Sequence, residues 1–167
     1  MHSAINAVLA GIAATILAAM PAAAQPIKVG TIFPLSGGAG SNGQVVTNAV
    51  KVMAEMINSQ GGVLGRQLVV IPKDDESTPA VGVSRANELI AEKVDLIIAA
   101  WNSPVALAMQ PVIARANIMD ITAVAKADPI LSGEGNPYAV RINSSNAQDA
   151  GVIAHWSCEY RFARFQG

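Results

Sequence analysis

Soft metal-binding chemistry is scarce in this 167-residue chain, which has one cysteine, Cys158, and two histidines. A single thiol offers no disulfide framework, which an oxidising compartment permits but does not require. No His or Cys residues stand at metal-ligand spacing, and the run Asp74-Asp75-Glu76 reads as a solvated strand exit. Aromatics number two Trp, two Tyr and three Phe, too few for a base-stacking surface. The formal net charge of −1 leaves no basic footprint for nucleic acid and no basic face for an anionic membrane. The chain also lacks a GxSxG elbow, a Walker Gly-Lys-Ser/Thr and a Cys–His couple. His155 stands alone on a predicted helix, and Ser103 has no base near it in sequence. No cofactor is expected.

What is present begins with an apolar stretch, Ala7 to Ala19, too short to span a bilayer comfortably. Small residues at Ala22 and Ala24 fit a processing site before Gln25, so residues 1–24 read as a signal peptide, although Met1 to Asn6 has no Lys or Arg. An exported, periplasmic protein is expected. About 140 residues follow, enough for one domain with a real core.

From there, strands and helices alternate. Ile27 to Phe33 is a β-branched strand, residues 34–43 a glycine-rich loop, and Gln44 to Asn58 a helix with Val46, Val50, Met53 and Ile57 at the spacing of one face. Gln67 to Ile71 is a second strand. Thr78-Pro79 opens a second helix, with Val83, Ala86, Leu89 and Ile90 inward. Val94 to Ala100 is a third strand. A helix from Ser103 to Ala116 carries Leu107, Val112 and Ile113, and Pro111 should kink it. Ile118 to Thr122 and Tyr138 to Ile142 are two further strands, and Asn143-Ser-Ser145 caps a last helix reaching about Trp156. Short connections between alternating elements predict an α/β fold, a parallel sheet with helices on both faces. Ligands of such sheets sit beyond the strands' carboxyl ends, where strand order reverses.

One corner organises this pattern. The apolar run ending at Ala100 gives way to Trp101-Asn102-Ser103-Pro104, where a helix opens. A serine cap followed by proline at the first helical position leaves unpaired N–H groups and a positive dipole end, which favour a carboxylate. Lys126, in the loop after the fourth strand, could pair with such a group as a point charge, or simply face solvent. A competing reading comes from Gly38-Ala-Gly40-Ser-Asn-Gly43, which matches G-x-G-x-x-G and suggests a small nucleotide-dependent α/β oxidoreductase. Against it, the first glycine trails the strand, and the nearest acidic pair, Asp74 and Asp75, lies about 31 residues beyond Gly43, where about 20 is usual.

Three segments together carry a family likeness: Ile27-Lys-Val-Gly-Thr-Ile-Phe-Pro-Leu-Ser-Gly37, Met56-Ile-Asn-Ser-Gln-Gly-Gly-Val-Leu-Gly65 and Lys73-Asp-Asp-Glu-Ser-Thr-Pro79. Over about residues 26 to 155 the chain resembles the branched-chain-amino-acid-binding family of periplasmic proteins, the soluble receptors of ABC importers. The resemblance implies two α/β lobes closing on a small ligand and delivering it to a membrane permease. It implies ligand contacts at Asn42, Trp101, Asn102, Ser103, Val124 and Lys126, with Ser103 at the carboxylate and Val124 offering backbone. Lys126 stands where amino-acid binders usually have Thr, Asn42 where some have an aromatic, and Trp101 where a smaller apolar residue is common. These departures point to an organic acid or an atypical amino acid. The same likeness implies a first lobe at 26–142, a hinge and first helix of a missing second lobe at 143–155, and an aberrant tail at 156–167, as in a truncated fragment. A ligand-sensing domain of the same fold is a third reading.

Overall fold

The computed structural model describes residues 25–131 and 136–161. The expected signal peptide and the end of the tail lie outside the described residues. Five strands are present: β1 (Ile27–Phe33), β2 (Leu68–Asp74), β3 (Leu96–Ala99), β4 (Met119–Thr122) and β5 (Ala139–Arg141). Between and after them run α1 (Gly40–Ser59), α2 (Pro79–Ala91), α3 (Ser103–Arg115) and α4 (Asn146–Trp156). Every strand pair is parallel, in the order β2-β1-β3-β4-β5. Parallel neighbours need a crossover, and the intervening helices supply it. The order reverses between β1 and β3, which puts the switch point of the sheet there, the place where ligands of such sheets bind.

Register sorts the side chains by face. Gly30, Ile97, Asp120 and Ala139 lie side by side, and so do Thr31, Ile98, Ile121 and Val140. Successive residues point to opposite faces, so Ile97 and Ile98 enter different environments. Ile97 is fully buried with Ile32, Leu89, Val105, Met109 and Ile113, under α2 and α3. These two helices approach closely because α2 has Gly82 where they cross; a Cβ there would press on Val105 and Met109. Burying each such aliphatic side chain is worth about 1.5–3 kcal/mol.

Among the described residues the opposite face has only α1, over β1 and β2. Val46, Val50, Met53 and Ile57 form one face of that helix, as their spacing implies, and line a hollow with the sheet; the first two and Ile57 are half-buried and Met53 is exposed. Leu107 is likewise at the surface; the inward stripe of α3 is Val105, Ala106, Met109 and Ile113. Pro111 sits within an unbroken α3.

α1 starts four residues before its predicted start. Gly40 and Gly43 belong to its first turn, and a Cβ on Gly43 would overlap the Pro34 carbonyl oxygen. The glycines let the helix pack on the chain's own backbone. The motif that suggested a dinucleotide loop is thus filled by Pro34 and Leu35, which corrects the oxidoreductase reading of residues 38–43.

Candidate ligand site at the strand exits

The loops leaving β3 and β4 meet beyond the carboxyl edge of the sheet. The chain leaving β4 continues beside β3: Ala123 N–H donates to Ala99 O (2.6 Å) and Ala125 N–H to Ala100 O (3.1 Å). Beyond them, Ala127 N–H donates to Ser103 Oγ at 3.2 Å. Ser103 was expected as the helix cap. Instead Asn102 holds that position in extended backbone, Ser103 and Pro104 begin the first turn, and no side chain caps α3. The hydroxyl is drawn to the neighbouring loop because Ala127 N–H has been carried there by the β3–β4 pairing. One hydroxyl proton remains for a ligand, and the uncapped start of α3 presents N–H groups and the positive dipole end beside it.

The loop is braced from behind. Arg141 Nη1 donates to Ala127 O (2.9 Å), and Asn143 Nδ2 to Val124 O (2.6 Å). Lys126 Nζ pairs with Asp149 Oδ2 of α4 at 2.6 Å, and Lys126 O accepts Asn146 N–H (3.0 Å). The bond from Lys126, followed by one from Ser144, holds the Asp149 carboxyl below its usual range. The lysine is therefore an ion-paired group rather than a free point charge. Ser145 accepts from Gln148 N–H and closes α4 with a capping box. Its N-terminus is thus satisfied, whereas that of α3 has no side-chain cap.

Of the six residues singled out in the sequence, Trp101, Asn102, Ser103, Val124 and Lys126 stand together, all half-buried, around this corner. Asn42 is exposed in the first turn of α1, and no described hydrogen bond ties it to the other five. The sequence reading missed Arg141, Asp149 and the Ala127 amide as partners. Arg141 was traceable as the end of the strand next to β4. Asp149 read only as an acid in a first helical turn.

The carboxylates after β2 hold a turn. Asp74 Oδ1 accepts Leu35 N–H (2.7 Å) and Glu76 N–H (2.8 Å), and Asp75 Oδ1 accepts Ser77 N–H (2.8 Å). Burial pushes the Asp75 carboxyl up. Among the described residues no three His, Cys, Asp or Glu side chains gather as a metal site. His155 pairs with Glu159 on exposed α4 and the turn after it, at 3.2 Å.

Known proteins resemble the chain in sequence and fold. The chain is 31% identical over 140 residues to the Leu/Ile/Val-binding protein BraC3 of Rhizobium johnstonii, an alignment covering 84% of this chain and 38% of that protein. It is 35% identical to an ABC-transporter solute-binding protein of Rhodopseudomonas palustris solved with 3,4-dihydroxybenzoic acid, with a TM-score of 0.70 over 79% of this chain and 36% of the other. The isoleucine-bound substrate-binding protein LivJ of Streptococcus pneumoniae superposes with a TM-score of 0.74 at 24% identity, over 81% of this chain and 38% of the other, a likeness of fold. The chain thus spans little more than a third of the length of these relatives. Residues 26–162 match the family described as periplasmic binding protein. An α/β sheet of this order, with its exit loops joined at one edge and this match along its length, belongs to the periplasmic binding protein family.

Proposed function

We propose that this lobe holds the carboxylate of a small solute between the start of α3 and the Val124–Ala127 loop, as half of an exported ABC-importer receptor. The observation that carries this is the Ala127–Ser103 hydrogen bond, which locks two exit loops together beside an uncapped helix start. A carboxylate there would accept from the Ser103 hydroxyl and the first amides of α3, and charge-assisted bonds of this kind are the stronger ones. Trp101 and Val124 supply the apolar border. The ligands for which the relatives are named or with which they were solved, Leu/Ile/Val for one and 3,4-dihydroxybenzoic acid for another, have a carboxylate in common. Because Lys126 is paired with Asp149, its charge need not repel an ammonium group, so amino acids and plain organic acids both fit.

Export is supported by the apolar run at 7–19 and the small residues before Gln25. Among the described residues no helix is long and apolar enough to cross a membrane. The corner has an orienting hydroxyl but no adjacent base, so binding rather than catalysis is the supported role. In a longer receptor, a second lobe would close over the ligand and a permease would receive it.

One wall cannot enclose a ligand, so this chain alone should bind weakly, in the millimolar range. Titration with 3,4-dihydroxybenzoate and with leucine, followed by amide NMR, should move resonances of residues 101–105 and 124–127. Ser103→Ala should weaken that response about tenfold, the equivalent of about 1.4 kcal/mol. If neither compound perturbs those amides, the carboxylate site is wrong.

A further inference from the structure

The peptide between Lys126 and Ala127 is held from both sides. Its N–H donates to Ser103 Oγ at 3.2 Å. Its carbonyl, Lys126 O, accepts Asn146 N–H from the start of α4 at 3.0 Å, and Arg141 Nη1 stands 3.5 Å from it. The same Nη1 donates to the next carbonyl, Ala127 O, at 2.9 Å. Arg141 ends β5 and is half-buried, and among the described residues it forms no ion pair. Its charge is felt at Asp128, whose carboxyl is held low first by the Ala147 amide, then by Ser145, and more weakly by Arg141. A guanidinium stays protonated in proteins, so a permanent cation backs this loop.

The 126–127 peptide is trans, so its C=O and N–H point opposite ways. Donors gripping Lys126 O therefore turn Ala127 N–H toward Ser103. Donation into that carbonyl also polarises the amide and strengthens its N–H, because hydrogen bonds in a chain reinforce one another. Ser103 Oγ, having accepted this proton, keeps its own O–H to give. All the bonds thus run one way, from Arg141 and Asn146 through the peptide to Ser103 and outward. A row of donors ending in a hydroxyl suits a group that only accepts, and an ionised carboxylate is such a group.

We propose that Arg141 sets the specificity of this corner: through the 126–127 peptide it aims and strengthens the Ser103 hydroxyl, and so makes the site prefer an anionic carboxylate to the corresponding neutral amide. It is a positioning residue, since it acts through Ser103, and the inference rests on the ligand site proposed above. The role falls to Arg141 because the loop's own cation, Lys126, is paired with Asp149 at 2.6 Å.

The test is an amide NMR titration of the chain with 3,4-dihydroxybenzoate and with 3,4-dihydroxybenzamide. The parent should favour the acid about tenfold, the margin of a charge-assisted bond over a neutral one. The acid should also move the amide proton of Asn146 together with that of Ala127, since both donate into the same peptide. Arg141→Gln keeps a donor and loses the charge, so the preference should shrink to about threefold, with the neutral amide's affinity unchanged. Arg141→Lys should restore most of it. Equal weakening of both compounds would mark a merely structural role and overturn the proposal, as would an unchanged acid-to-amide ratio. If Arg141→Gln does not fold, the parent decides: an Asn146 amide that the acid leaves unmoved while residues 101–105 respond overturns the relay. If neither compound moves residues 101–105 or 124–127 in the parent, the carboxylate site itself fails and Arg141 has no role there.

Discussion

The two faces of the sheet carry similar residues and meet different fates. Ile97 and Ile98 are adjacent in β3 and chemically identical, yet Ile97 is fully buried under α2 and α3 while Ile98 is half-buried and lines an apolar hollow of about 630 Å³ on the other face. Asp120 and Ile121 reverse the expectation from polarity: the carboxylate is buried and the isoleucine is only half covered. Side-chain character sets what burial is worth, but the helices that follow each strand decide which side is covered.

The sharpest way to break this contrast is a matched pair of truncations. Ile97→Ala should cost about 3–5 kcal/mol in urea unfolding, because the surrounding core cannot collapse onto the cavity. Ile98→Ala should cost about 1 kcal/mol in the single chain, where water already reaches the face. Equal costs in dilute solution would mean that the faces do not differ.

The covered face also contains an ionisable group. Asp120 lies against α3, accepts a hydrogen bond from Gln110 Nε2, and burial pushes its carboxyl up to about 7 from an ordinary value near 3.8. Neither Asp120 Oδ1 nor Gln110 Oε1, both buried, has a hydrogen-bond partner among the described residues. Between those two values the folded chain holds a proton that the unfolded chain has released. The associated stability is thus complete below about pH 4 and is lost as pH rises through 7, by about 4 kcal/mol. Asp120→Asn removes the charge, so it should flatten this decline and leave the variant more stable than the parent at pH 8. Thermal melts at pH 5 and pH 8 read this directly. A parent melting temperature that does not fall over that interval on account of Asp120 contradicts the placement of its charge.

At the rim the effects shrink. Lys126 and Asp149 are each well over a third exposed, so their pair should contribute at most about 1 kcal/mol. Lys126→Ala should change the melting temperature little and lose what effect it has in high salt. A large loss would mean that the pair holds α4 to the 126–128 loop more firmly than its exposure suggests.

Much of the order was legible. The β1 boundaries, the alternation of elements and the start of α4 at Asn146 follow from β-branched runs, helical spacing and a Ser145–Gln148 capping box, all of which act within a few residues. The corner at Trp101–Ser103 was legible too, because a strand running into polar residues and proline leaves few conformations. The start of α1 was not: Gly40 and Gly43 read as loop until Pro34 is seen lying against them. Ser103 read as a cap until the β4 exit brought Ala127 within its reach.

The sequence by itself determined which segments are strands and helices and that the sheet is parallel, and it placed the proposed ligand corner at the strand exits, since those follow from local periodicity and chain order. Only the tertiary structure decided that Ser103 serves the neighbouring loop, that Lys126 answers to Asp149, and that among the described residues α2 and α3 cover one face of the sheet while α1 alone lies on the other. These depend on strand register and on which helices cross to which side, and both join residues far apart in the chain.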